Sequence, residues 1–374
     1  MRIGFDARAL GVRSSGIRTY TYELLRGLAE VDAENEYVLY GLPRGSAPRG
    51  LPPRFSEDPR SIPFRHLTDR IVVAGHGGHI DLYHGTNYSA PQWSAFPTVL
   101  TVHDLTVYMF PENHPWPRRV AHRLLPRLCR NAGHLIADSE NTRRDLVRCY
   151  GISPDRIQVI HLAAGSEFRP LEWTPEFDRI RSRYRLPDEF VLCFGTLDRR
   201  KNLPLLVRAM GELRRMGVPR TLVIAGSGDA RALADLHTLV RQQGLMPGED
   251  VVFTGMVEES DVPILYNLCD LFVYPSSYEG FGLPPLEAMA TGRPVVVSDT
   301  SSFPELYQDT AVLVELGSPA RLAEAIDQVL SDEGRRRELI DRGLKLARSR
   351  SWCDVAQETL DVYRRVRGRG HTIA

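Results

Sequence analysis

Two glutamates, Glu279 and Glu287, stand eight positions apart in the stretch SSYEGFGLPPLEAMATGRPVVVSD, with Gly280, Gly282 and the pair Pro284-Pro285 between them. A carboxylate accepts two hydrogen bonds at once, so each suits a vicinal diol. The prolines and the later Gly292 mark out a helix that begins just after the glycines. Backbone N–H groups near Phe281, Gly282 and Leu283 would then point toward an anion, which the positive end of the helix also favours. A second candidate is FGTLDRRKNLPLL, where Arg199, Arg200 and Lys201 follow an apolar run and Asn202 and Pro204 open a helix. Three neighbouring cations repel one another unless an anion lies among them. Together the two loops describe a diphosphate bound from both sides, flanked by carboxylates that grip hydroxyls, which is what a nucleotide-sugar requires. Plainer readings stand beside this one: a Glu in the first turn of any helix is stabilised by the dipole, loops are rich in glycine, and a basic loop can simply be solvated.

Such loops need a scaffold. Short apolar runs ending in small or polar residues recur along the chain: RIGFDAR, YVLYGL, TVLTVHD, HLIADS, QVIHLAAG, FVLCFGT, TLVIAGSG, VVFTGM, LFVYPSS and PVVVSD. Helical patterns such as YTYELLRGLAEV and LPLLVRAMGELRRMG separate most of them, which predicts α/β architecture with parallel sheets. Ligands then sit beyond the carboxyl ends of the strands, which singles out Asp6, His103-Asp104, Asp138-Ser139, Gly195-Thr196, Gly226-Ser227-Gly228 and Ser276 to Glu279. The series breaks between roughly 166 and 188, a stretch rich in Pro and charge, and a linker there divides the chain into residues 1–168 and 169–350. The segment 44–63 reads as a loop. A last amphipathic helix over 351–374 is expected to dock through Trp352 and Tyr363.

The chain has 374 residues, with Lys plus Arg and Asp plus Glu at 47 each, so its formal charge of zero gives no argument for nucleic acid. The start MRIGFDARAL reads as a strand and not as a secretory signal, and no apolar run approaches the roughly 18 residues of a membrane span. Five scattered cysteines without CxxC spacing suit a reducing cytoplasm and argue against structural zinc.

The residues resemble those of the retaining glycosyltransferases of family 4, which have the GT-B fold. The resemblance rests on Glu279-x7-Glu287 within EGFGLPPLEAMATGRPVVVSD, on VVFTGMVEESDVPILYNLCDLFVYPS, on RKN at 200–202 and on LVIAGSG at 222–228. In the first half SGIRTYTYELLRGL, TVHDL, ADSENTRRDLV and VIHLAAG are similar to the same family. The resemblance implies two Rossmann-like domains facing a central cleft, the second holding a nucleotide-sugar donor and the first an acceptor, with the last helix packing back on the first domain. By position it gives Glu279 to sugar hydroxyls, the backbone of Phe281, Gly282 and Leu283 to the sugar and diphosphate, and Glu287 to ribose. Arg200 and Lys201 would neutralise the diphosphate, Gly16 would let a loop approach the phosphate, and His103 would lie beside the transferred sugar. Many relatives carry an Arg where this chain has Thr196, so Arg199 or Arg200 is expected to supply that charge.

A likeness of HDL and EGFGLPPLEA to bacterial mannosyltransferases ranks GDP-mannose as first donor and UDP-sugars next. No DxD pair closes a strand, so neither a metal nor another cofactor is expected, and no carboxylate declares itself a nucleophile. The resemblance implies retention, by attack of a saccharide, lipid-linked or aglycone hydroxyl on the face that the phosphate leaves. His103 reads as a positioning residue ahead of a general base. The stretch HPWPRRVAHRLLPRLCRNAGH interleaves Trp116, Leu124, Leu125 and Leu128 with five arginines, a pattern suited to contact with anionic lipid at the inner face of a membrane, though Pro126 weakens it as a helix. A phosphorylase, a nucleotide-sugar epimerase and a non-catalytic nucleotide-sugar-binding subunit are the alternatives on the same fold.

Overall fold

The computed structural model describes residues 1–11, 16–42, 45–58, 80–88, 96–114, 116, 119 and 122–369. The chain divides into two compact units, one of Met1–Leu162 with Ser351–Ala374 and one of Ala163–Arg350. The second unit thus opens ahead of the break expected after residue 168, and the polar stretch read as a linker carries the helix Pro175–Tyr184. Phe177, Ile180 and Tyr184 bury one face of that helix. The apolar spacing of i, i+3 and i+7 was there to be read beneath the charge and proline content.

In the first unit β1 (Arg2–Asp6), β2 (Glu36–Tyr40), β3 (Phe55–Glu57), β4 (Leu82–Gly85), β5 (Thr98–Val102), β6 (His134–Ala137) and β7 (Ile157–Val159) form one sheet in the order β3-β2-β1-β4-β5-β6-β7. Every pairing is parallel. In the second unit β8 (Val191–Phe194), β9 (Leu222–Ala225), β10 (Val251–Gly255), β11 (Leu271–Tyr274), β12 (Val295–Ser298) and β13 (Val312–Val314) form a sheet in the order β10-β9-β8-β11-β12-β13, again wholly parallel. Both orders are Rossmann-like, and each reverses once, between β1 and β4 and between β8 and β11. At such a reversal the loops leaving neighbouring strands diverge and open a crevice for ligand.

Among the described residues three strands lie outside the apolar runs. β3 falls in the Pro- and Gly-rich segment expected to be a loop, and β13 is too short to stand out. β4 reads LYHG, and its His84 and Gly85 disguise a strand that is buried along its whole length. His84 is tolerated there because both ring nitrogens are satisfied, Nδ1 by Tyr363 Oη at 2.6 Å and Nε2 by Thr101 Oγ1 at 2.8 Å. Burial pulls its pKa down to about 3, so the ring is neutral.

Tyr363 belongs to the last helix, Trp352–Arg369, which lies along the first helix, Gly16–Val31. Trp352 and Tyr363 are buried, as expected of a docked tail. The two backbones approach so closely at Gly27 that a Cβ there would stand 2.4 Å from the Trp352 carbonyl oxygen.

Candidate active site

In the second unit Arg200 and Lys201 follow β8, whereas Glu279 follows β11, so the sheet reversal places the two loops side by side. Lys201 Nζ donates to Glu279 Oε1 at 2.7 Å, and Arg200 Nη1 donates to Glu279 Oε2. Arg200 also reaches the Tyr278 carbonyl at 3.0 Å, and Ser276 Oγ donates to Glu279 Oε1 at 2.8 Å. Burial alone would raise the Glu279 carboxyl, but Arg200 and Lys201 outweigh it and hold the group down at about 2. It is therefore ionised, and it is the anion that the cluster of cations demanded. Two of the three cations are thus matched within the protein. Asp198 Oδ2 also stands 3.6 Å from Arg200 Nη2, so Arg200 and Lys201 face two carboxylates at the β8/β11 reversal.

The Arg199 and Arg200 assignments separate at once. Arg200 is partly covered and turned onto Glu279, while Arg199 is exposed. Thr196 is also exposed, and its hydroxyl donates to Asp198 at 2.9 Å. Asp198 in turn caps the short turn that carries the three cations by accepting from the Lys201 backbone N–H.

The loop after β11 leads into the helix Leu283–Ala290, with Pro284 and Pro285 in its first turn and Gly292 past its end at φ +75°. Gly282 caps it at φ +94°, a conformation that side chains resist. A Cβ at Gly282 would also lie 2.6 Å from the Phe303 ring, so the glycine is required by the protein's own packing. The loop is pinned from behind. Ser301 Oγ donates to the Glu279 carbonyl, Ser302 Oγ to the Phe281 carbonyl at 3.0 Å, and Tyr307 Oη to the Gly282 carbonyl at 2.7 Å. Holding those carbonyls back fixes the peptide planes whose N–H edges start the helix, and the first N–H groups of a helix have no partner within it. No local pattern marks Ser301, Ser302 and Tyr307, because they follow β12 and reach the loop through the fold.

Glu287 lies one turn into this helix and is buried, with Oε2 accepting from Tyr266 Oη at 3.0 Å. Burial pushes its carboxyl up to about 7, and the nearby Glu167 carboxylate adds to the effect. The two glutamates of one motif are thus in opposite states, one ionised and one poised near neutrality. Among the described residues no group of three or more His, Cys, Asp or Glu side chains is placed to hold a metal ion.

His103 and Gly16 belong to the first unit. His103 follows β5 and is buried, its Nδ1 2.7 Å from Asp138 Oδ2 and its Nε2 2.9 Å from the Thr86 carbonyl. Gly16 opens the first helix and is exposed, and among the described residues a Cβ there would meet nothing within 4 Å. At the β1 end Asp6 is fully buried and bound by Arg8 at 2.7 Å.

The arginine-rich stretch 114–130 is described in part, and Arg118 lies outside the described residues. Leu125 and Leu128 of the helix Leu125–Asn131 pack into the core of the first unit beside Cys129, so these two members of the expected lipid-facing row cannot face lipid. Pro126 sits in the first turn, where its missing N–H breaks no helical bond. Arg119, Arg123 and Arg127 are exposed, and so is Trp116, at 68%.

Known proteins with these features fall into one class. Residues 14–164 match the model of glycosyltransferase family 4, and residues 176–346 match that of the glycosyl transferases of group 1. The chain is 32% identical over 291 residues to O-antigen chain mannosyltransferase B of Escherichia coli, covering 76% of this chain and 74% of that protein. It is 29% identical over 314 residues to the serotype-specific mannosyltransferase WbdA of Escherichia coli, spanning 82% of this chain but only 38% of that one. The crystal structure of Anabaena HepE in complex with UDP and glucose superposes with a TM-score of 0.75 at 18% identity, over 97% of this chain and 99% of that one. The fold is that of the GT-B glycosyltransferases. The chain belongs to the family 4, group 1 glycosyltransferases, enzymes that move a sugar from a nucleotide-sugar.

Proposed function

We propose that this protein is a retaining, metal-independent hexosyltransferase that takes its sugar from GDP-mannose, with UDP-sugars as the next donors to try. The observation that carries this reading is the Arg200–Glu279–Lys201 cluster at the β8/β11 reversal, beside the helix start at Gly282. The choice of mannose rests on the mannosyltransferases among its relatives.

A donor diphosphate competes with Glu279 for Arg200 and Lys201. Once it takes their hydrogen bonds, the Glu279 carboxylate is free to accept from sugar hydroxyls. Glu287 accepts from the ribose hydroxyls, and the backbone N–H groups of Phe281, Gly282 and Leu283 face the sugar and diphosphate. Charge that develops on the leaving oxygen as the bond to sugar C1 breaks meets cations already fixed in position. The protein supplies that stabilisation from side chains and backbone, so no divalent ion is needed. The acceptor, a hydroxyl of a glycan, a lipid-linked saccharide or a small aglycone, attacks from the same face and passes its proton to the departing phosphate. The exposed Trp116 with Arg119, Arg123 and Arg127 gives the first unit a surface suited to anionic lipid.

The test is a thermal-shift screen of GDP, UDP, ADP and dTDP with their common sugars, repeated on Glu287→Ala, followed by NMR of the product anomer with the donor so found. Selective stabilisation by GDP-mannose, lost in the variant, and an axial mannoside product are expected. An inverted product, or activity abolished by EDTA and restored by magnesium, would overturn the mechanism. Stabilisation without transfer or hydrolysis would point to a binding subunit.

A further inference from the structure

The first unit holds a buried charge pair that the transfer chemistry above does not use. Asp138 directly follows β6 and is 2% exposed, and its Oδ2 meets His103 Nδ1 at 2.7 Å. The other ring nitrogen of His103, Nε2, faces the Thr86 carbonyl oxygen at 2.9 Å. A carbonyl oxygen can only accept, so Nε2 carries a hydrogen. An ionised carboxylate can only accept, so Nδ1 carries one too. The proton between an imidazole and a carboxylate belongs on the imidazole, given their ordinary acidities. The ring is then an imidazolium.

A second observation points the same way. Asp138 Oδ1 is buried and has no hydrogen-bond partner among the described residues. A buried carboxylate left half satisfied is strongly unfavourable unless an opposite charge stands beside it. Among the described residues its ion-pair partner is His103.

We propose that Asp138 is a positioning residue that holds His103 as an imidazolium strut tying together the ends of β4, β5 and β6, and that His103 consequently accepts no proton from the acceptor hydroxyl. Described neighbours brace the strut. Thr142 Oγ1 donates to the His103 carbonyl at 3.1 Å, and Thr142 N–H is itself held by Ser139, which caps the helix Glu140–Tyr150. The Tyr20 ring stands edge-on to His103 at 4.7 Å between centroids, and Tyr88 at 5.7 Å. Tyr20 Oη reaches Thr101 Oγ1 at 3.0 Å, which continues to His84 and Tyr363 of the last helix.

Among the described residues the titratable groups around the ring are Asp138, Asp104, Tyr20, Tyr88 and His84. His84 is neutral and burial raises the Tyr20 hydroxyl, so neither adds charge near neutral pH. Burial alone would disfavour the imidazolium, but Asp138, the Thr86 carbonyl and Asp104 together raise the His103 pKa above its ordinary value. The strut is intact below that pKa and loses one hydrogen bond as the pH rises through it.

The proposal rests on the glycosyl-transfer reading only in its kinetic arm. In the first arm, long-range proton–nitrogen NMR of the full-length labelled protein reads the ring protonation of His103, assigned by the signal lost in His103→Gln. Both ring nitrogens of the native protein should be protonated at pH 7, and in Asp138→Asn the midpoint should fall by at least about one pH unit. A native His103 with a bare ring nitrogen at pH 7 would overturn the proposal, and this result is available even where Asp138→Asn folds poorly. In the second arm, Asp138→Asn should lower kcat about tenfold with donor KM unchanged, and move the alkaline limb of the kcat profile to lower pH. An unshifted limb with native kcat would remove the positioning role. Absence of any turnover in the native protein would count against the transfer reading and leave the NMR result standing.

Discussion

Lys201 Nζ lies 2.7 Å from Glu279 Oε1 although 78 positions separate the two residues in the chain. They meet because Lys201 follows β8 and Glu279 follows β11, adjacent strands at the point where the sheet order reverses. Arg200 shares the same carboxylate and also stands 3.6 Å from Asp198, so the protein itself supplies counter-charges to both cations.

Glu279→Ala should strand two cations. Removing one member of a buried ion pair costs about 3–5 kcal/mol, and that loss is expected in urea unfolding. An added nucleoside diphosphate should then restore more stability to the variant than to the native protein, because its phosphates replace the missing carboxylate. Equal thermal shifts for the two proteins would mean that the diphosphate does not reach these cations.

The two arginines should part company. Arg200→Ala removes a cation bound to Glu279 and is expected to lower turnover about 100-fold, the scale seen when one preorganised donor to developing charge is lost. Arg199→Ala removes an exposed side chain and should change turnover by less than about threefold. Steady-state kinetics of both variants with one donor settles which arginine stands in for the residue that Thr196 replaces.

Glu287 gives a pH signature. Its carboxyl is raised from the ordinary 4.5 to about 7, so between those values the folded protein holds a proton that the unfolded chain has released. Stability from this group therefore falls as the pH rises through that window, by on the order of 3 kcal/mol in total. Glu287→Gln should be more stable than the native protein at pH 8 and gain far less at pH 5. Urea unfolding of both proteins at the two pH values gives the difference directly. A gain independent of pH would show that Glu287 titrates like an exposed carboxylate.

Gly282→Ala tests the helix start. The backbone sits at φ +94° and the new methyl would press on the Phe303 ring, so a loss of about 1–3 kcal/mol is expected. In a unit of this size that lowers the midpoint by several degrees in a thermal scan. A native midpoint would mean that the loop after β11 is free to shift.

Much of the site was legible in the chain itself. The Glu279–Glu287 spacing, the glycines and the prolines located a strand-to-helix loop, and the structure puts the helix at Leu283–Ala290. The alternation of apolar runs with helical patterns gave two parallel sheets, since a strand covered on both faces is apolar at every position. What stayed hidden was short or polar. β4 was missed because His84 interrupts it, and a buried histidine is acceptable only when partners from β5 and the last helix satisfy it. The helix Pro175–Tyr184 was masked by the charge on its outer face.

The sequence by itself determined the elements, the chemistry of the loops and the family, because backbone propensity, residue type and local spacing are properties of neighbouring residues. Only the tertiary structure decided the electrostatic states. It turned Arg200 inward onto Glu279 and left Arg199 in solvent, and it ionised Glu279 while raising Glu287 toward 7. It also set both ring nitrogens of His103 against acceptors that follow other strands. Charge and hydrogen-bond partnership depend on distances across the sheet and on the removal of water, and neither exists until strands distant in the chain are side by side.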